Sequence, residues 1–299
     1  MSRQPPTIEQ SWMLKQRWVS QFSATEEFKI LNDLVAEVDA TASGAVEQIV
    51  ALAKTSRPGL VDYHVSLSVL ELAQHLTPDR HERLVDFMWQ LQKQTLTDPT
   101  TGEPLQTQER TLFRDLPSFG YTELETWDEY GGGRKGPDPR DADVAPEQNQ
   151  RFANLNAFLA QLTQNAAAKE NAPGGVFQPM DKSLRAIWAI QQALEDHSRR
   201  PAELVDTSAM RAACMWFVYA SDRLMANVRD FRIFPEHSGA GVARSREEYA
   251  SRGYKGYALG RWQLWQQSLE EARAASQDEE IKMLIGDALR HMRRAEAEG

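Results

Sequence analysis

The sequence predicts an all-α protein: a single large, irregular helical bundle of about ten to twelve helices around a central apolar helix, closed by a C-terminal αα-hairpin. Three observations predict it. Apolar residues recur at three- and four-residue spacing in most long segments, and strand-like alternation is nearly absent. The run Ala212-Ala213-Cys214-Met215-Trp216-Phe217-Val218-Tyr219-Ala220 is apolar on every side, the mark of a helix that others surround. With 299 residues, 41% of them hydrophobic, the chain can bury one substantial core, so residues 1–299 read as one helical domain.

In chain order, residues 7–22 carry Trp12, Leu14, Trp18 and Phe22 at helical spacing. Residues 25–39 place Phe28, Leu31, Leu34, Val35 and Val38 on one stripe, with Thr25 as cap. A short helix over 45–54 ends at the Ser56-Arg57-Pro58-Gly59 turn, and a more apolar segment follows over 61–76. Thr77-Pro78-Asp79 is a start signal for a helix running to about Leu96, with Leu84, Phe87, Met88 and Leu91 on one side. Residues 131–146, rich in Gly, Pro and charge, read as a flexible loop. Residues 147–168 then form a helix with Phe152, Leu155, Phe158, Leu159 and Leu162 inward. Pro173-Gly174-Gly175 interrupts, and Asp181 caps a helix bearing Leu184, Ile187, Trp188 and Leu194. Pro201 opens the long central helix, which reaches about Arg229. An irregular stretch over 232–256 precedes two helices, over 261–276 and 279–295, whose short connection makes them antiparallel.

Composition excludes several functions. The net charge of -9 repels a phosphate backbone, and the local run Arg290, Arg293 and Arg294 suits a helix C-terminus, so no nucleic-acid partner is expected. No stretch approaches the roughly 18 to 20 apolar residues of a membrane span, and the N-terminal residues have no apolar signal core. The cytoplasm is the expected compartment. Cys214 is the single cysteine, so it forms no intrachain disulfide, and its apolar flanks suggest a buried thiol.

The standard catalytic motifs are missing. No HExxH occurs, and His75 and His81, on either side of the Pro78 start, read as surface histidines. Gly131-Gly132-Gly133-Arg134-Lys135-Gly136 lacks the Ser or Thr and the preceding strand of a phosphate cradle. Neither GxSxG nor a strand-borne GxGxxG is found, and no adjacent Asp pair exists to hold a metal. No metal and no cofactor are therefore expected.

What remains follows the central apolar run. Tyr219 and Asp222 are three apart and share a helix face, and Arg223 lies one turn beyond Tyr219. Two readings stand. In one, Asp222 and Arg223 form ion pairs that orient neighbouring helices. In the other, the three are catalytic: they line a cavity in which Asp222 exchanges protons and Tyr219 donates a hydrogen bond, with Trp188, Trp216, Phe217 and Trp127 as the substrate-binding aromatics. Glu236, His237 and Ser238 are hydrolase residue types, but consecutive residues do not converge into a triad; a lid hinged at Gly239 and Gly241 fits that segment better.

Four stretches carry a family resemblance. They are Leu112-Phe113-Arg114-Asp115-Leu116-Pro117 with Glu123-Leu124-Glu125-Thr126-Trp127, the helix over 154–162, the helix over 188–195, and Arg261-Trp262-Gln263-Leu264-Trp265. In this order they resemble a fungal family of helical proteins, the domain of unknown function 3632. The resemblance implies a fungal, cytoplasmic, all-α protein that accompanies natural-product biosynthesis, and it transfers no catalytic residue. The expected function is a cofactor-independent enzyme of fungal secondary metabolism that cyclises or isomerises a hydrophobic terpenoid or polyketide-like molecule in an aromatic-lined cavity. Two alternatives stay open: a non-catalytic helical adaptor, and a small-molecule carrier. Homo-oligomerisation is also left open.

Overall fold

A computed structural model describes residues 19–129, 138–166, 178–195, 198–235 and 253–298. Among these residues the chain is all-α apart from one two-stranded ribbon and two isolated bridges, as its apolar periodicity predicts. It divides into two compact units, residues 1–129 and 130–299. Most of the helix expected over 7–22 lies outside the described residues.

In the first unit, α1 (Glu26–Ala36) begins where Thr25 Oγ1 accepts the Phe28 N–H at 3.3 Å, and it buries Leu31 and Leu34. Helix α2 (Ala42–Thr55) starts three residues before the expected position, because Thr41 caps Gly44 at 3.1 Å. Helix α3 (Pro58–His75) begins at the proline assigned to a turn; Pro at a first helical position needs no N–H partner. It is buried along nearly all of its length from Val61 to Gln74, polar residues included. Ser66 and Gln74 return hydrogen bonds to the Asp62 and Leu70 carbonyls of their own helix, at 2.8 and 2.9 Å.

The Pro78 start signal is only partly obeyed. Pro78–Arg80 forms a 3₁₀ turn, and the helix proper is α4 (Glu82–Gln92). The reason lies at His81, which is fully buried instead of lying on the surface as expected. Its Nε2–H faces the Ala73 and Leu76 carbonyls at 2.9 and 3.2 Å, so it satisfies groups left open at the end of α3. Burial pushes its pKa down to about 4, so it is neutral at physiological pH.

Strands β1 (Gln106–Thr107) and β2 (Arg110–Thr111) pair antiparallel through a two-residue turn in which Gln108 and Glu109 both have positive φ. Directly after them, buried Phe113 and Leu116 adopt φ of 62° and 42°. The Asp115 carboxylate accepts the Thr111 N–H at 2.7 Å, and Asp62 of α3 accepts the Ser118 N–H at 2.9 Å just before α5 (Phe119–Trp127).

In the second unit, α6 (Pro146–Gln164), α7 (Ser183–Leu194) and α8 (Ser208–Arg229) precede the hairpin of α9 (Leu259–Ala275) and α10 (Glu279–Ala297). Helix α8 packs against each of the other four, as its all-round apolar run predicts. It starts later than Pro201. That proline opens a separate 3₁₀ turn (Pro201–Glu203), closed by the Glu203 carboxylate on the Arg200 N–H at 2.6 Å, and Thr207 is the true cap. Of the loop expected over 131–146, residues 131–137 lie outside the described residues. Pro139 is buried, and its carbonyl accepts from Ala209 N–H and Ser208 Oγ at the start of α8. Residues 236–252, with Glu236, His237, Ser238, Gly239 and Gly241, also lie outside, as does the Pro173-Gly174-Gly175 interruption. The hairpin is antiparallel: Gln266 reaches Glu296 at 2.9 Å and Arg293 reaches Glu270 at 2.6 Å.

Candidate functional site: a buried two-arginine cluster

The site grows from the C-terminal half of α8, after its apolar run ends. Arg223 is buried, with a side chain 6% exposed, and its Nη2 donates to Asp181 Oδ2 at 2.8 Å. Asp181, two residues before α7, also binds the Ser183 N–H and Oγ through Oδ1, at 3.0 and 2.5 Å. A second guanidinium arrives from beyond the end of α8. There the chain reverses with the Phe231 and Arg232 N–H groups bonded to the Val228 and Asn227 carbonyls, a Schellman closure that sets Phe231 at φ 50°. The reversal turns Arg232 inward, and its Nη1 meets Asp181 Oδ2 at 2.6 Å and Asn227 Oδ1 at 3.2 Å. Asn227 completes the ring by donating to Ser183 Oγ at 2.9 Å.

Among the described residues the charges do not balance. Burial acts to raise the Asp181 pKa, but Arg232, Ser183 and Arg223 outweigh it and hold the carboxyl below its usual range. One firmly ionised carboxylate thus faces two guanidinium groups. Arg223 Nε and Nη1 are buried and have no hydrogen-bond partner among the described residues.

Beside this polar ring stands an aromatic wall, and Tyr257 belongs to both. Its hydroxyl donates to the Ser183 carbonyl at 2.7 Å, and burial raises its pKa, keeping it a donor. Its ring meets Trp265 at 6.2 Å and Phe234 at 6.3 Å. Phe217 continues the wall, with centroids 5.6 Å from Trp262 and 6.0 Å from Trp265. Behind the wall, Arg261 grips Glu195 through Nε and Nη2 at 2.7 and 2.9 Å, and Trp265 Nε1 donates to the same carboxylate at 2.6 Å. Arg261 Nη1 also donates to the Gly256 carbonyl at 2.8 Å.

Of the residues singled out in the sequence, Arg223 and Phe217 fall in this region. Asp222 turns away from the cluster. It is half exposed, with both oxygens 2.8 Å from Arg294 Nη2. Gln164 connects it to its neighbour, donating to Asp222 and accepting the Arg223 backbone N–H. Tyr219 is half-buried on the same helix. Trp216 is fully buried, with its indole N–H on Asn156 at 2.9 Å. Trp188 carries the Arg185 guanidinium 4.4 Å above its ring. Trp127 is buried in the first unit. Cys214 is buried, its thiol pushed up to about 12, which suits the inert role read from its flanks.

Sequence reasoning missed Asp181 as a charge partner, and missed Arg232, Asn227 and Tyr257 altogether. Asn227 could have been found, because it lies one turn beyond Arg223 on the same face. Elsewhere in this unit an open cleft of about 410 Å³ is lined by Asp206, Arg211, Gln277, Asp278 and Ile281, none of them a candidate aromatic. Among the described residues no group of three or more His, Cys, Asp or Glu side chains could hold a metal ion, and no helix is long and apolar enough to cross a membrane.

The chain belongs to the family described as protein of unknown function (DUF3632), whose model matches residues 67–269. That span includes the Asp181 cluster, the aromatic wall and the Glu195–Arg261 clamp. No curated protein and no solved structure matches the chain.

Proposed function

We propose that this chain is a cofactor-independent enzyme of fungal secondary metabolism that cyclises or isomerises a largely apolar small molecule, with its site on the Arg223 face of α8. The observation that carries this reading is the junction at Tyr257, where a hydrogen-bonded ring of ionised and polar groups meets a wall of five aromatic side chains, Phe217, Phe234, Tyr257, Trp262 and Trp265. A reaction of this class needs shape, exclusion of water and a few fixed donors. The guanidinium groups of Arg223 and Arg232 are such donors, suited to stabilising negative charge that develops on a substrate oxygen. Asp222, tied to Arg294 on the helix's more exposed side, is better suited to positioning the end of α8 than to exchanging protons.

The test is untargeted metabolite profiling of the source organism with and without the gene. The proposal expects one compound to disappear and an uncyclised or isomeric precursor to accumulate. An unchanged profile under conditions of expression would overturn it. A second reading, a non-catalytic adaptor, draws on Phe231 and Ile233, which are 72% and 68% exposed just beyond α8. It gains ground only on that second outcome.

A further inference from the structure

We propose that Arg223 and Arg232 form a binding site for the carboxylate of an organic acid, so that the substrate of the site described above is an acid with an apolar body. The inference rests on the reading of this face of α8 as the ligand site, and it adds the chemical class.

The argument starts from cost. A buried guanidinium group is expensive to leave without acceptors, and most buried polar groups in folded chains are satisfied. Arg223 uses one nitrogen on Asp181 and leaves Nε and Nη1 without a partner among the described residues. Adding a second acceptor would be the simplest structural remedy, yet the cluster instead adds a second cation. Arg232 shares the same Asp181 oxygen that Arg223 uses. A site that needed only internal balance would gain nothing from the second guanidinium. A site that receives an anion gains a net charge of about +1 and free donors.

The size of that excess selects the anion. Among the described residues, two guanidinium groups against one carboxylate leave room for one negative charge. A carboxylate supplies one, whereas a phosphate monoester carries about 1.5 to 2 at neutral pH and would reverse the imbalance. The surroundings select the rest of the molecule. The Arg232 side chain is 23% exposed, so the cluster opens outward on its side, and Phe234 lies 5.0 Å under that guanidinium. An acid entering past Arg232 would set its carboxylate toward Arg223 and its apolar body along Phe234.

The experiment uses the full chain. Phenylacetate, octanoate, their primary amides and inorganic phosphate are titrated in turn, followed by calorimetry and by the shift in Tm. The expected result is that at least one of the two acids binds and that its amide binds tenfold or more weakly, since hydrogen bonds to charged groups are worth about 10- to 100-fold. Phosphate is expected to bind more weakly than that acid. Arg223→Gln should weaken the acid about tenfold or more and leave the amide unchanged; Arg232→Gln should act in the same direction. Amides binding as well as the acids, phosphate binding more tightly than either, or neither acid binding would each overturn the inference. The comparison of acid with amide on the unaltered chain holds even if Arg223→Gln does not fold. Failure here is also separable from failure of the enzyme reading. Equal binding of acid and amide removes the anion and keeps a ligand site, whereas acid binding with an unchanged metabolite profile keeps the anion site and removes the reaction.

Discussion

Asp62 in the first unit and Asp181 in the second are both buried aspartates, and their surroundings move their carboxyl groups in opposite directions. Burial pushes each toward the protonated form. At Asp62 the opposing hydrogen bonds come only from Ser118, and burial wins, so the pKa is raised. At Asp181 two guanidinium groups and Ser183 act against the same penalty, and the pKa is lowered. One carboxyl therefore holds a loop and tolerates a proton, while the other is a fixed negative charge. Burial alone does not mark a functional carboxylate; the company it keeps does.

The contrast can be broken most severely at Asp181. Asp181→Ala leaves two guanidinium groups without their shared carboxylate, Arg223 being 6% exposed, and should destabilise the fold by about 3–5 kcal/mol in urea titrations. Its pH dependence follows from the lowered pKa. The stability that Asp181 contributes is fully present above the ordinary value of 3.8 and is lost as pH falls through the folded value. The gap between parent and variant should accordingly shrink on acidification.

Asp62→Asn should cost less, about 1 kcal/mol, because an amide oxygen can still accept the Ser118 N–H at the 2.9 Å position. Here the sign reverses. A raised folded pKa means stability present below 3.8 and lost as pH rises through the folded value, so the parent's advantage over Asp62→Asn should fall with rising pH. Parallel denaturation series at several pH values would show opposite slopes for the two variants.

The smallest effect is expected at the chain reversal that delivers Arg232. Phe231 occupies the left-handed position of the Schellman closure, where glycine is favoured, and its side chain is 72% exposed. Phe231→Gly should stabilise the fold by about 0.5–1 kcal/mol, read as a modest rise in Tm.

The helices were legible from apolar spacing and caps, because those signals are local. Thr25, the all-round run within α8 and the short hairpin turn each act within a few residues of chain. Helix starts were less secure where a competing local bond existed, as at Pro78 and Pro201. The site was legible at Arg223 and obscure beyond it. Asp222 and Arg223 are sequence neighbours, yet adjacent residues on a helix point about 100° apart, so one meets Arg294 and the other Asp181, residues distant along the chain. The Arg261-Trp262-Gln263-Leu264-Trp265 stretch stood out only through the family resemblance. Its Arg261 and Trp265 in fact clamp Glu195, which ends another of the stretches that carry the family resemblance. Periodicity reports which face is buried and is silent on which buried charges meet.

The most direct test is a carbon-13 NMR titration of the aspartate carboxyl groups, with Asp62→Asn and Asp181→Asn supplying the assignments. The structure predicts that the Asp181 midpoint lies below 3.8 and the Asp62 midpoint above it. An Asp181 midpoint at or above that of Asp62 would mean that the two arginines do not hold its charge, and the account of the cluster would fail.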